Sequence, residues 1–400
     1  MKISAIICEY NPMHNGHLYH IKQTRKNGAT HVIGILSGNF VQRGDVALLD
    51  KFDRAQLALR GGVDLVLELP VAFSSATAEL YASGAVSILH HIGVVDELSF
   101  GSACPDLECL ELLTEAAVST RETYQERILE RMRAGESYPA ALCEIVRQRY
   151  GPKVAAMMHD PNNVLAIEYM KAIRRYDAKF QPFSLQRQCV MHDSLEPQDM
   201  FASASFIRKS IAEGDRSYLN YVPTFTAQML SRRLTEGRTA DIRRLERVLL
   251  YRLRTMDPAE LNDLPDMTPT LQNRIYAART AGSLDELLAA VKTKAYTMAR
   301  IRRILMCALI GIHRDDQKYN PPYARVLALN DRGREILAAA KKKSSIDIST
   351  SLARLSEGSA AAERFVRLEE RAANVYGLAQ GDITSAEQEF RTKISLEAAK

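Results

Sequence analysis

Through the first third of the chain, short β-branched apolar runs alternate with amphipathic stretches, the pattern of a parallel sheet covered by helices. Residues 3–8 read as a first strand, 16–26 as a helix and 30–36 as a second strand. Residues 51–60 set Phe52, Ala55 and Leu59 on one face with polar residues between, which predicts a helix leading into the apolar run 63–69. Pro70 closes that run as a buried strand. A helix over 76–91 then leads to a fourth strand over 96–100, stopped by Gly101.

From 106 to 150 the periodicity turns helical, with Leu107, Leu110 and Leu113, then Ile128 and Met132, at three- and four-residue spacings. Residues 180–186 form a candidate last strand. Beyond about residue 200 the segments are Arg-rich and helical with few strand signals. Pro197 and Pro223 stand among polar residues, so the domain boundary is expected within 195–222. The expectation is an α/β domain over residues 1–200 and a mainly α-helical domain over 201–400, with 331–400 packing on the latter.

Composition narrows the class. At 400 residues, 46% apolar and 25% charged, the chain fits a soluble globular protein of two or three domains. Its net charge of +5 permits a nucleic-acid partner without demanding one. Residues 201–320 hold 20 Lys+Arg against 13 Asp+Glu, so the whole positive excess lies there. The longest apolar stretches, 62–70 and 304–312, fall well short of the ~18–20 residues of a membrane span. The N-terminal run is too short for a signal-peptide core, which predicts a cytoplasmic protein with no membrane partner. Six cysteines without a CxxC predict no structural zinc, and most are expected to be buried free thiols.

The first strand ends in Cys8-Glu9-Tyr10-Asn11-Pro12-Met13-His14-Asn15-Gly16-His17. A nucleotide phosphate chain needs donors at a strand-to-helix turn, where the helix N-terminus offers unpaired N–H groups and a positive dipole end. His14 and His17, three residues apart, can both face one bound anion. Gly16 removes a side chain where backbone approaches phosphate, and Pro12 fixes the turn. No third residue with zinc-like spacing accompanies the two histidines, so no metal ligands are assigned.

This stretch resembles the HIGH-type nucleotidyltransferase motif, G-x-F-x-P-x-H-x-G-H, with Cys8 where glycine is usual. The resemblance implies a Rossmann-like parallel-sheet nucleotidyltransferase domain in which catalytic His14 and His17 stabilise charge on a triphosphate as pyrophosphate leaves. The second motif of that superfamily, S-S-T-x-I-R, resembles Ser203-Ala204-Ser205-Phe206-Ile207-Arg208, with hydroxyls at a helix start and Arg208 one turn on. Four further blocks lie between: residues 37–45 (SGNFVQRGD), 64–70 (DLVLELP), 99–102 (SFGS) and 161–169 (PNNVLAIEY). Together with 294–305 they resemble the bacterial tRNA(Met) cytidine acetate ligases, over most of the chain.

That resemblance implies an ATP-dependent enzyme, with Mg²⁺, that activates acetate as acetyl-adenylate. It then acetylates N4 of the wobble cytidine of elongator tRNA(Met), forming N4-acetylcytidine. The implied ATP site is Ile7, Cys8, Glu9, Tyr10, Asn11, Pro12, Met13, His14, Asn15, Gly16, His17, Leu18, Tyr19 and His20, with Gly101, Asn162 and Arg187. Ala103 stands where an acidic residue is expected.

Gln42, Arg43 and Asp45 follow the second strand at its carboxyl end, the ligand side of an open parallel sheet. Arg43 can meet the acetate carboxylate, the adenylate phosphate or the tRNA. For RNA, the candidates are Arg243 and Arg247, one helical turn apart, and Arg300, Arg302 and Arg303 beside the apolar stripe Ile301, Ile304, Leu305. The alternatives are a nucleotidyltransferase acting on a small phosphorylated metabolite and an RNA-binding nucleotide sensor without turnover. The chain has neither GxGxxG nor GxxxxGK[ST] and no Ser-His-Asp or Cys-His arrangement, and no stable protein partner is expected.

Overall fold

The computed structural model of the chain describes residues 1–186 and 201–396. The predicted alternation forms β1 (Ile3–Cys8), α1 (Asn15–Lys26), β2 (His31–Ser37), α2 (Lys51–Arg60), β3 (Leu65–Leu69), α3 (Ala78–Ile92) and β4 (Glu97–Ser102). A helical stretch ending in α4 (Pro161–Arg175) leads to β5 (Gln181–Gln186). These strands lie in the order β3-β2-β1-β4-β5, all parallel. The chain builds outward from β1 through β2 and β3, then returns to place β4 on the other side of β1. The carboxyl ends of β1 and β4 therefore diverge into a crevice at the topological switch point, where open α/β sheets bind ligands.

Each strand feeds both faces because successive side chains alternate. Ile3, Ala5, Ile33, Ile35, Leu65 and Leu67 join one core with α3 and α4, while Ile6, Cys8, Val32, Leu36 and Val66 join the other with α1 and α2. Strands buried on both sides are near-continuous apolar runs, which makes them readable in the sequence.

The second half contains α5 (Ala204–Ala212), α6 (Glu246–Thr255), α7 (Met298–Ile310) and α8 (Ala360–Leu378) among other helices. It also supplies three strands, few among its helices as expected. β6 (Tyr323–Leu329) pairs antiparallel with β3, and β7 (Asp347–Ser349) and β8 (Ser395–Leu396) pair parallel with β6. Within residues 331–396, β7 and β8 join the sheet through β6, while α8 lies against both α7 and the Val71–Ser74 helix.

A fully buried charge cluster fastens this return. Lys51 Nζ lies 2.5 Å from Glu68 Oε1 and 3.5 Å from Glu369 Oε2, and it also contacts Glu389. Arg325, in the middle of β6, meets Glu68 at 3.1 Å and Glu389. The three carboxylates surround the Lys51 ammonium, so the chain supplies its own cation there. Burial raises the Glu369 pKa, and the neighbouring Glu68 carboxylate pushes it further up. For Glu68 the same desolvation is outweighed by Lys51 and Arg325, which hold it below the usual carboxylate range. Of the three carboxylates facing two cations, Glu369 is thus the one that burial and its neighbours favour to hold a proton.

Cys104 and Cys109 form a disulfide, so this close pair departs from the free-thiol expectation; Cys8 and Cys307 are buried free thiols, and Cys143 is half-buried. Cys189 lies outside the described residues. No described helix is long and apolar enough to cross a membrane.

Candidate nucleotide-binding site

The crevice motif begins where β1 ends. Tyr10 adopts φ +47°, and the Asn11–Pro12 peptide is cis, so the chain turns sharply before α1. Asn11 is buried: its Oδ1 accepts the Leu48 N–H at 2.8 Å and its carbonyl accepts Arg208 Nη1 at 2.7 Å. Tyr10, Asn11, Pro12 and Met13 are buried and serve the turn, whereas Glu9, His14, Asn15, Gly16, His17, Leu18, Tyr19 and His20 are half-buried.

His14 caps α1, its Nδ1 accepting the Gly16 N–H at 3.1 Å; His17 Nδ1 in turn accepts the His14 N–H at 3.3 Å. A nitrogen that accepts a backbone N–H carries no proton, so in both neutral rings the proton resides on Nε2. The rings stack with centroids 3.7 Å apart, and Tyr10 meets His17 edge-on at 4.9 Å. Two Nε2–H donors are therefore fixed side by side at the positive end of a helix dipole. A Cβ at Gly16 would lie 2.9 Å from His14 Cε1, so glycine also admits the capping ring.

Arg54, on α2 and fully buried, ties the strand ends beneath this turn. Its Nε donates to Leu49 O at 2.9 Å, and Nη1 donates to Glu9 O at 2.7 Å and Ser37 O at 2.9 Å. Nη2 donates to Gly38 O. One guanidinium thus sets the carboxyl ends of β1 and β2 against each other. In the sequence it is one polar position of an amphipathic helix, and no local signal distinguishes it.

The second motif joins the first. Ser203 caps α5 by accepting the Phe206 N–H at 3.0 Å, and Arg208 on that helix reaches Asn11 O and, at 3.4 Å, Ser205 Oγ. Arg208 also acts on two acids. Burial raises the Glu9 pKa against the Gln42 N–H, 2.9 Å from Oε1, and against Arg208, Arg54 and Arg43. Burial likewise raises Asp45, against Arg208 and the Val46 N–H. The turn carrying Gln42, Arg43 and Asp45 rests on α7: Gly44 has φ +72°, and a Cβ there would lie 2.4 Å from Arg303 N.

On the β4 side, His20 Nε2 lies 2.9 Å from Ser99 Oγ, which also meets Thr24 Oγ1 at 2.8 Å, bracing α1 against β4. Gly101 is half-buried near the end of β4. Asn162 falls in the first turn of α4; its neighbour Asn163, buried, accepts the Ala103 and Cys104 N–H groups at 3.0 and 3.2 Å and donates to Met157 O at 2.8 Å. Asn163 rather than a carboxylate at 103 therefore holds the loop after β4. Arg187 lies outside the described residues.

The five arginines proposed for RNA divide. Arg243 and Arg247 are exposed. Arg300 and Arg303, with side chains only 17% and 12% exposed, meet Asp266 at 3.2 and 3.1 Å, and Arg300 Nη2 donates to Asp266 O at 2.8 Å. Their apolar helix packs inward, and Arg300 and Arg303 are engaged by the Asp266 loop rather than turned to solvent. Arg302 is half-buried and lowers Asp45 through its charge.

This arrangement suits the stabilisation of negative charge leaving as a polyphosphate. It does not suit thiolate attack, because burial pushes the Cys8 thiol up to about 12.

A family model described as HIGH Nucleotidyl Transferase matches residues 1–391. The tRNA(Met) cytidine acetate ligase of Caldanaerobacter subterraneus subsp. tengcongensis is 37% identical over 360 residues, 88% of this chain and 89% of its own. That of Alkaliphilus metalliredigens is 34% identical over 400 residues, 95% and 94% of the two chains. Among solved structures, Thermotoga maritima TmcAL without ligand gives a TM-score of 0.93 at 28% identity, covering all of both chains. The form bound with alpha-thio ATP gives 0.91 at the same identity and coverage. Matched over nearly its full length, and with both motifs assembled at one switch point, the chain belongs to the HIGH nucleotidyltransferases and, within them, to the tRNA(Met) cytidine acetate ligase family.

Proposed function

We propose that this protein activates acetate with ATP as acetyl-adenylate and transfers the acetyl group to N4 of the wobble cytidine of elongator tRNA(Met). The observation that carries the reading is the pair of backbone-fixed imidazoles, His14 and His17, stacked 3.7 Å apart at the start of α1. The donor set fits a triphosphate: two Nε2–H groups, a helix N-terminus and the Arg208 guanidinium border one crevice. In the first step a carboxylate oxygen of acetate bonds to the α-phosphorus, and the bond to the bridging oxygen of pyrophosphate breaks. His14 and His17 stabilise the charge that departs with that oxygen. In the second, the cytidine amine bonds to the acetyl carbon, the anhydride C–O bond breaks, and AMP leaves with the electron pair while the amine loses a proton.

Mg²⁺ would accompany the triphosphate and supply further charge neutralisation, with Glu9 and Asp45 the nearby carboxylates. Arg43, whose charge reaches Glu9, would meet acetate, the adenylate or the tRNA. Arg43→Ala should therefore raise either the KM for acetate or the Kd for tRNA; if both stay unchanged, that assignment fails. The activation step is tested by incubating the protein with ATP and Mg²⁺, with and without acetate. AMP and pyrophosphate formed only with acetate support it, and their absence contradicts it.

A further inference from the structure

An exposed face of α6 starts beside the crevice. Ala240 N donates to Leu48 O at 3.0 Å, and Leu48 N donates to Asn11 Oδ1 at 2.8 Å, so residue 240 stands one backbone link from the turn before His14. From there a short 3₁₀ turn (Ile242–Leu245) runs into α6. Residues 241–255 hold five arginines against two acids, Asp241 and Glu246. Leu249, Leu250 and Leu253 turn inward, which leaves Arg247 and Tyr251, four residues apart, on the outer face with Arg243 before them. Tyr251 is 68% exposed and the Arg243 side chain 75%.

The face continues past Tyr251. Arg254 donates to Arg279 O at 3.2 Å and to Ala281 O at 2.8 Å, and Arg279 lies over the Tyr276 ring at 3.6 Å. Guanidinium and aromatic groups therefore interleave from the crevice outward. The acids nearby cancel the charge only in part: Asp241 takes Arg243 Nη2 at 2.5 Å and Nε at 2.9 Å, which leaves Nη1 of this exposed side chain for a phosphate. Glu246 is turned away to accept the Leu284 N–H at 2.9 Å, and Asp285 acts on Arg243 only through its charge.

We propose that this face holds a single-stranded segment of the RNA substrate, with one unpaired base stacked on Tyr251 and the adjoining phosphates on Arg243 and Arg247. The assignment rests on the acetate-ligase reading and adds to it where the strand leaves the crevice. One helical turn, about 5.4 Å, separates the groups, a step suited to an unstacked strand. Stacking needs a flat exposed ring with cations beside it, which a protein partner or a lipid surface would not require.

The test uses the intact protein and the anticodon stem-loop of unmodified elongator tRNA(Met), with a duplex of the same length as control. Tyr251→Ala should weaken stem-loop binding about 5- to 100-fold, with Tyr251→Phe near wild type and Tyr251→Leu weak. Arg243→Gln with Arg247→Gln should lower the slope of log affinity against log salt by about 1.4, about 0.7 for each phosphate released on a single strand. Thermal unfolding checks that each variant is folded, which exposure of all three residues favours. Tyr251→Ala binding as tightly as wild type, or equal losses on the duplex, overturns the inference. If wild-type protein acetylates the tRNA in that case, the functional reading stands without it. Conversely, a Tyr251-dependent complex that yields no N4-acetylcytidine supports the face and overturns the functional reading.

Discussion

Replacing Arg54 with methionine probes the scaffold that holds the motif turn. The substitution keeps most of the side-chain volume and removes every donor to Leu49 O, Glu9 O, Ser37 O and Gly38 O, all beneath the crevice. A buried acceptor left unmet costs about 1–3 kcal/mol. Four such groups are partly offset by the desolvation that a buried guanidinium no longer suffers, a penalty visible in the lowering of its pKa by burial. The net loss is about 3–5 kcal/mol, the scale of breaking a buried charged contact. Against a total stability of ~5–15 kcal/mol this is severe. In urea, with m of about 3 kcal/mol/M, the midpoint should fall by roughly 1–1.7 M. Arg54→Lys keeps the charge but not the planar fork that reaches both strand ends, so it should recover about half. A methionine variant within ~1 kcal/mol of wild type would refute the claim that this guanidinium sets the two strand ends.

His14→Asn should separate two duties of one side chain. Asparagine still caps α1, so stability stays within ~0.5 kcal/mol, while loss of the Nε2–H slows acetate-dependent AMP formation by about 10²–10³-fold; a rate near wild type would show that the ring only caps. Glu369→Gln tests the proton in the buried cluster. Because the folded-state pKa is raised, this glutamate contributes stability that is complete below its ordinary value and is lost as pH rises through the folded one. The Gln variant should therefore gain Tm relative to wild type as pH rises above the ordinary glutamate value, and a difference that shrinks with pH would contradict the assignment. Arg300→Ala should lower stability by about 1–2 kcal/mol through loss of the Asp266 contacts and leave the salt slope of RNA binding unmoved; a slope that falls would return Arg300 to the RNA surface.

The residues differ in how openly the sequence declares them. The strands β1, β2 and β3 are mostly apolar on both faces, with single polar positions such as Ser4 and Glu68, so their runs stand out without context. β6 is as buried as they are, yet Arg325 interrupts it, and the acids that neutralise Arg325 are 257 residues before it and 64 after it. Only the assembled sheet shows that this run is a strand. At the crevice, His14 and His17 were legible because strand, turn and helix fall within fifteen residues. Arg208 required a second motif nearly two hundred residues away. Asn163 and Arg54 carry no local pattern at all: each satisfies backbone groups from other elements, and their partners exist only in the fold. The contacts of Arg300 and Arg303 were illegible for the same reason, since Asp266 sits on a separate loop.

The most direct measurement is mass spectrometry of nucleosides from unmodified elongator tRNA(Met) after incubation with the protein, ATP, Mg²⁺ and isotope-labelled acetate. Labelled N4-acetylcytidine that appears only in the complete mixture, and not with the His14→Asn variant, is the predicted result. AMP and pyrophosphate formed with acetate but no label in the tRNA would contradict the acceptor, and no acetate-dependent product of any kind would contradict the account at its root.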